Sequence, residues 1–308
     1  MKIKKINAYN SKVNSGVDNL YPTPDDAFKQ PCLHLVVGQR TSGKSYLTSL
    51  ILEQAHKDKT FDIVYIITPS FNSNKAYFGK YINEDNVFDP TKDSINKVLE
   101  KIEADRDEWE RYLEEKAKYK MYLKEIKTKN PFMNDWNLLE YSQYGFLDGF
   151  IPKWKYETEE PPKSLLILDD VIGSPALNQS SNLNKIATLN RHLLPLKEQY
   201  KGRSACGLAV IILAQSYKMQ NGVGRILREQ VSLLTLFKNK QQKQLDSIKD
   251  ELANVVDEDL FMKAYEYATK DKYGNLTIDF NNKCATKTFR KNLNELIIFD
   301  ELPCECKK

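Results

Sequence analysis

Residues 36–45 read VVGQRTSGKS. Two small apolar residues run into Gly38, four residues follow, and Gly43, Lys44 and Ser45 close the pattern G-x-x-x-x-G-K-S/T. The spacing has a chemical reason. A loop that wraps a phosphate chain does so with backbone N–H groups, and a side chain at the wrong position blocks that approach. Gly38 and Gly43 supply the permissive backbone, while Gln39, Arg40, Thr41 and Ser42 fill the span between them. A helix beginning at Lys44 aims its N-terminal dipole at the anion. In this pattern Lys44 reaches the β- and γ-phosphates and Ser45 ligates Mg²⁺, with Tyr46 next along the loop's exit. The flanks agree: CLHLVVG (32–38) is a buried strand, and KSYLTSLILEQAHKDK (44–59) puts Leu47, Leu50, Ile51 and Ala55 on one helical face.

Working outward, FDIVYIITPS (61–70) is a second β-branched strand stopped by Pro69. Strand, glycine loop, helix, strand is the opening of a parallel sheet. SLLILDDV (164–171) supplies the acidic strand end that a nucleotide-hydrolysing loop protein needs. Two carboxylates at the tip of an apolar strand are costly unless solvated, paired or near a metal. Asp169 is assigned to Mg²⁺, and Asp170 to orienting or deprotonating the attacking water. AVIILAQS (209–216) is a third buried strand, ending in Gln215. If it lies next to the Asp169 strand, Gln215 sits beside the γ-phosphate as a sensor. VSLLTLF (231–237) is a further strand. The fold class is therefore α/β, a P-loop NTPase of the RecA/ASCE-like kind, with a mainly parallel central sheet flanked by helices and a long charged helical insertion.

That insertion occupies 91–129, a Glu- and Lys-rich stretch without Gly or Pro. Val98, Ile102, Trp109, Tyr112, Tyr119, Leu123 and Ile126 follow alternating steps of four and three, interrupted by Asp105 and Lys116. Two readings stand: a surface helix packed on its own domain, or a projecting helix that meets a neighbouring subunit or capsid. Residues 178–201 read as helical, as do 240–252 and 257–270, and GNLTIDF and ELIIF read as small edge strands. The organisation is an N-terminal arm over 1–30, a P-loop core over 31–240 with the helical insertion at about 91–150, and a helical and small β extension over 241–308.

Composition bounds the rest. Of 308 residues, 29% are charged, and no apolar run approaches the ~20 residues that cross a bilayer. The basic start MKIKKINAYNSKV lacks the apolar stretch of a secretory signal. A net charge of +4 permits a nucleic-acid partner without demanding one. Cys32, Cys206, Cys284, Cys304 and Cys306 are few and scattered, as in a reducing compartment. Cys304 and Cys306 have poor spacing for zinc.

VYIITPSFN, LLILDDV, LNRHL, AVIILAQSYK and LREQVSLLTLFK occur in that order. Together they resemble the genome-packaging ATPases of poxviruses, related large DNA viruses and virophages, within the FtsK–HerA superfamily, over roughly 31–240. The resemblance implies ATP and Mg²⁺ as cofactors and a homo-oligomeric ring, pentamer or hexamer, that drives double-stranded DNA into a preformed capsid. Its implied partners are DNA, further copies of the chain and a capsid or portal vertex protein, without a membrane. Its implied place is the virus assembly site in the host cytoplasm, or the virion. In such rings a subunit often lends an arginine to its neighbour's γ-phosphate. Arg191 matches the family's Arg-His pair and Arg228 the arginine after the Gln strand, with Arg225 nearby, and the two matches stay equal here.

Two departures stand out. Asn190 replaces the family's usual small residue before Arg-His. The link LLPLKEQYKGRSACG (193–207) is long, and its Lys197, Lys201 and Arg203 are candidates for a DNA-facing loop. About 70 residues follow FKNK, too few for the nuclease domain of tailed-phage terminases, so no DNA cleavage is expected. The alternatives are a soluble FtsK–HerA-type translocase or helicase in replication or repair, and an assembly protein that nucleotide merely switches. A nucleotide kinase would need an arginine-rich substrate pocket, which the sequence does not reveal.

Overall fold

The computed structural model describes residues 1–5, 13–14, 19–24, 26–128, 135–171, 173–175, 181–218, 223–239, 241–253, 256–282 and 285–299. Strand β1 is Lys2–Lys5, and Val13–Asn14 (β2) pairs with Thr23–Pro24 (β3). The run 32–38 forms β4 (Leu33–Val37), and helix α1 (Lys44–Lys57) follows the glycine loop. Then come β5 (Ile63–Ile67), α2 (Phe71–Phe78), β6 (Val87–Phe88), α3 (Ser94–Lys127) and α4 (Asp135–Gln143). The Asp169 strand is β7 (Ser164–Asp169), followed by α5 (Ser181–Leu189), β8 (Pro195–Tyr200), β9 (Arg203–Ala205) and β10 (Ala209–Ala214). The chain continues through α6 (Arg225–Glu229), β11 (Leu233–Phe237), α7 (Gln242–Leu252) and α8 (Glu258–Ala268). It ends in β12 (Asn275–Asp279), β13 (Phe289–Lys291) and β14 (Glu295–Ile298).

Among the described residues, ten strands make one sheet in the order β1-β14-β13-β12-β11-β4-β10-β7-β5-β6. From β11 to β6 all neighbours are parallel, and from β11 back to β1 all are antiparallel. The α/β class and the mainly parallel sheet are as the sequence reads. The parallel strands are largely apolar because helices cover both faces, and the buried His34 and Thr235 within them bond to each other at 2.8 Å. Alternate residues divide cleanly. Leu33, Leu35, Val210 and Ile212 join the core beneath α3, α5, α7 and α8, whereas Val36, Ile211 and Leu213 join Leu47 and Leu52 of α1 and Phe78 of α2.

The sequence reading needs three corrections. Of the expected 178–201 helix, Ser181–Leu189 is helix α5, 190–194 are turn, Pro195–Tyr200 is strand β8 paired with β9, and 178–180 lie outside the described residues. Pro195 cannot continue a helix, and Lys201 and Gly202, both at positive φ, close the hairpin. Second, β12 is no edge strand: it lies between β11 and β13, and β14 lies between β13 and β1. The true edges are β6 and the lysine-rich β1, a composition that discourages further strand pairing. Third, Arg203 of the long link faces inward and is no DNA contact, while Lys197 and Lys201 are exposed. Arg203 is buried and donates to the carbonyls of Pro161, Pro162 and Cys206, with its guanidinium over the Tyr21 ring. Lys197 pairs with Glu110 and Glu114 of α3, and Lys201 with Glu160. Cys32 and Cys206 are free and buried. Cys284, Cys304 and Cys306 lie outside the described residues.

Helix α3 has 34 residues, about 51 Å at 1.5 Å per residue, against roughly 17 Å for a five-residue strand. It therefore overhangs the sheet. Its inner half buries Ile95, Val98 and Ile102 in the core, and then Trp109 and Tyr112 against Trp154. Its outer half packs Tyr119 edge-to-face on Phe146 and Tyr122 edge-to-face on Tyr141. The two polar interruptions of the stripe are docking points for the returning chain. Asp105 accepts from Lys155 Nζ at 2.5 Å and Tyr156 OH at 2.8 Å. Lys116 donates to Glu159 at 2.6 Å. The helix thus packs on its own chain, while Met121, Ile126, Trp136, Leu139, Leu147 and Phe150 of this arm remain exposed. Tyr156→Phe, which removes one donor from Asp105, is expected to lower stability by about 1–2 kcal/mol. A urea transition with a lower midpoint and unchanged slope is the readout.

Candidate nucleotide site

In a parallel sheet the loops after the strands share one edge, and ligands gather there. Strand β10 lies between β4 and β7, so one edge brings together the glycine loop after β4, Gln215 after β10, and Asp169 and Asp170 at the end of β7. The condition set on Gln215, adjacency to the Asp169 strand, is met: Leu213 is in register with Asp169.

The glycine loop is held from below. Gly38 N–H donates to Ala214 O at 3.0 Å, and Ser42 N–H to Gln39 O at 3.2 Å. A Cβ on Gly38 would stand 2.4 Å from Ser42 Oγ and 2.9 Å from the Phe237 ring, and Gly43 has φ +106°. Neither position admits a side chain without rearrangement. Gly43 is the residue before α1, so the helix's free N–H groups open onto the loop. Gln39 is half-buried, Arg40 and Thr41 are exposed, and Tyr46 stands at the helix mouth, also exposed.

Lys44 Nζ donates to the carbonyls of Gly38 at 2.7 Å and Gln39 at 3.1 Å. Burial pushes its ammonium below the ordinary lysine range, against the pull of Asp169 and Asp170. Asp169 is buried, and its Oδ2 accepts from Asn74 Nδ2 at 3.1 Å and Thr68 Oγ1 at 3.4 Å. Burial first, and the Asp170 charge second, raise its carboxyl above the usual range. Asp170 is exposed at φ +54°, a left-handed conformation that Asp tolerates better than most residues. That turn swings its carboxylate away from the strand, where Oδ1 accepts from Gln215 Nε2 at 2.8 Å.

Arg191 and Arg228 stand elsewhere. Asn190 O accepts from Leu208 N–H just before β10, and Arg228 lies on the helix that leads into β11. Arg191 therefore sits at the opposite edge of the sheet, roughly 17 Å away along a five-residue strand, whereas the Arg228 guanidinium lies 5.4 Å from the centroid of the Tyr217 ring, two residues beyond Gln215. Arg191 donates to the neutral Asn281 Oδ1 at 2.8 Å beside an open cleft of about 280 Å³. Arg228 donates to both carboxylate oxygens of Glu251 at 3.1 Å and to Val223 O. Arg225 is 84% exposed and pairs only with Glu229 among the described residues.

The residues present fit a nucleotide. Ser42 Oγ is buried without a protein partner, in a cradle that a Cβ would fill. No group of three metal-ligating side chains occurs among the described residues. A Mg²⁺ ion that keeps its waters and takes phosphate oxygens needs only one or two protein ligands, and Ser45 and Asp169 can supply them. Sequence reasoning missed Thr68 and Asn74, which hold Asp169. Their signal was the polar stretch TPSFNSN (68–74) directly after a buried strand.

No family model and no curated protein matches the chain. Among solved structures, the genome packaging NTPase B204 from Sulfolobus turreted icosahedral virus 2 is similar. Its sulfate complex is 17% identical, with 85% of this chain and 96% of that one covered and a TM-score of 0.44. The AMPPCP complex is 16% identical, with 84% and 96% covered and a TM-score of 0.42. The monomer form of the pCW3 conjugation coupling protein TcpA with ATPγS is 16% identical, with 78% and 58% covered and a TM-score of 0.40. No helix among the described residues is long and apolar enough to cross a membrane.

Proposed function

We propose that this chain is an ATP-hydrolysing motor that moves double-stranded DNA, acting as a homo-oligomeric ring to fill a preformed viral capsid. The observation that carries the nucleotide half is the convergence of Lys44, Asp169, Asp170 and Gln215 at one sheet edge, beside a loop whose Gly38 and Gly43 admit no side chain without rearrangement. The order of the sequence motifs supports the DNA and packaging half.

In this reading the loop amides and the α1 N-terminus bind the phosphate chain. Lys44 leaves its two carbonyl partners for the β- and γ-phosphate oxygens. Ser45 and Asp169 would hold Mg²⁺, which would supply charge neutralisation across the phosphates. Asp170 orients the attacking water and takes its proton. Gln215 holds Asp170 at 2.8 Å, and a γ-phosphate competes for the same amide, so its arrival frees the carboxylate for water. Gln215→Ala is expected to lower kcat roughly 10²-fold, the scale for one lost polar contact to the reacting group. The KM for ATP should change little, and steady-state kinetics checks both.

The exposed apolar residues of the α3–α4 arm support a partner-binding role for that arm, toward capsid or neighbouring subunit. The packaging reading is tested by ATP turnover with and without long duplex DNA, then with empty capsids added. Stimulation by DNA supports a motor, and further stimulation by capsids supports packaging. Turnover indifferent to both overturns the motor and favours the nucleotide-switched assembly protein.

A further inference from the structure

The topology gives a bound nucleotide a direction. Hydrolytic groups stand on the β10–β7 side of the glycine loop, so the γ-phosphate end belongs there. The other end of the ligand must leave toward the opposite neighbours of β4, namely β11 and β12. At that exit stands Tyr273, in the turn between α8 and β12.

Its ring lies 3.5 Å from the position a Cβ on Gly43 would take, the same distance as the buried Phe237 ring. Phe237 is 4% exposed beneath the loop, whereas Tyr273 is 54% exposed above it. One aromatic supports the loop and the other offers a free face beside it. Lys272 Nζ lies 5.1 Å from the centroid of that ring.

The turn that carries Tyr273 is built. Gly274 N–H donates to Asp271 O at 3.1 Å, and a Cβ on Gly274 would lie 2.3 Å from Ala268 O. Only glycine allows the chain to double back so tightly over the end of α8. Asp271 pairs with Lys291 of β13 at 2.6 Å, and Asn275 Nδ2 donates to Tyr273 O and to Asn292 Oδ1. The turn is thus anchored to the antiparallel half of the sheet, which has no other evident role at the site.

We infer that Tyr273 forms the base-binding wall of the nucleotide site, its ring stacking on the nucleobase of a nucleoside triphosphate held by the glycine loop. The inference rests on the nucleotide reading above and adds a residue from a part of the chain that carries no phosphate-binding motif. Stacking is indifferent to base identity because every base has a π-face. Tyr273 therefore adds affinity for nucleotides over bare phosphates without choosing between adenine and guanine.

Binding of ATP, GTP and inorganic tripolyphosphate, each with Mg²⁺, measured by calorimetry on the full chain and on Tyr273→Ala and Tyr273→Phe, tests this. Tyr273→Ala should weaken ATP and GTP roughly tenfold, the scale of one lost base–aromatic stack, and leave tripolyphosphate unchanged. Tyr273→Phe should keep all three affinities within about twofold, since the π-face remains. Unchanged ATP affinity in Tyr273→Ala overturns the inference. So does an equal loss of ATP and tripolyphosphate, which would make the ring a support for the Gly43 turn alone. A wild-type chain that binds none of the three ligands overturns the nucleotide reading itself, and this inference falls with it.

Discussion

Lys44→Ala is expected to abolish ATP turnover, with kcat/KM falling by roughly 10³-fold or more, above the loss for a single neutral oxyanion donor. The reason is electrostatic. The Nζ is largely buried, and its charge is drawn toward two carboxylates and two carbonyls. When phosphate oxygens replace those carbonyls, Lys44 becomes the cation that offsets charge moving onto the leaving group. Alanine also frees the carbonyls of Gly38, which is buried, and Gln39, which is half-buried. Thermal stability should therefore fall by only about 1–2 kcal/mol while activity vanishes, and measuring both on one preparation separates a chemical defect from a folding one. Asp170→Asn is the companion variant. Asparagine tolerates the left-handed backbone at this position, so the turn after β7 is kept. Removing the Asp170 charge also removes one of the two causes that raise the Asp169 carboxyl. Asp169 then ionises at lower pH, and Mg²⁺·ATP should bind at least as tightly as to wild type while hydrolysis slows by roughly 10²- to 10³-fold. If Asp170→Asn hydrolyses ATP at the wild-type rate, the assignment of Asp170 to the water is wrong.

What the sequence made legible follows from where the information lies. The glycine loop is contiguous, and its flanking strand and helix have strong, opposite periodicities, so residues 32–59 announce themselves. β7 and β10 are unbroken apolar runs because both faces are covered, and their polar tips mark the active edge. Features made by distant pairings were silent. Lys2–Lys5 has no apolar alternation, and only β14 makes it a strand. Asp105 and Lys116 look like defects in a helical stripe until Lys155, Tyr156 and Glu159 return to meet them. Arg203 in a lysine-rich link reads as a solvated cation, whereas three carbonyls some 40 residues away or just past the hairpin hold it inside. Tyr273 is the same case at the site: nothing local distinguishes it from a loop tyrosine, and the order of strands alone brings it to the glycine loop.

Arg191→Ala and Lys44→Ala should each be inactive alone and active when mixed. Arg191 lies at the far edge of the sheet from its own glycine loop, so a role in hydrolysis is open to it only at the site of a neighbouring subunit. Of the two arginines, it is the one with charge to lend. Its partner Asn281 is neutral, whereas Arg228 is tied to Glu251. Burial works to raise the Glu251 carboxyl, but hydrogen bonds from Arg228, Lys218 and Tyr217 outweigh it and hold the pKa down at about 2. Withdrawing Arg228 would strand that carboxylate, so Arg228→Ala should lower stability and gain nothing from mixing. An arginine supplied in trans is worth roughly 10³- to 10⁵-fold in rate, and each single variant should fall on that scale. In a randomly mixed ring, roughly a quarter of the head-to-tail interfaces join an intact Lys44 to an intact Arg191. Turnover should then recover to a clear fraction of wild type, and the recovery should depend on protein concentration as the ring does. Recovery absent at concentrations where wild type assembles would remove Arg191 from the reaction and leave the exposed Arg225 as the next residue to mix.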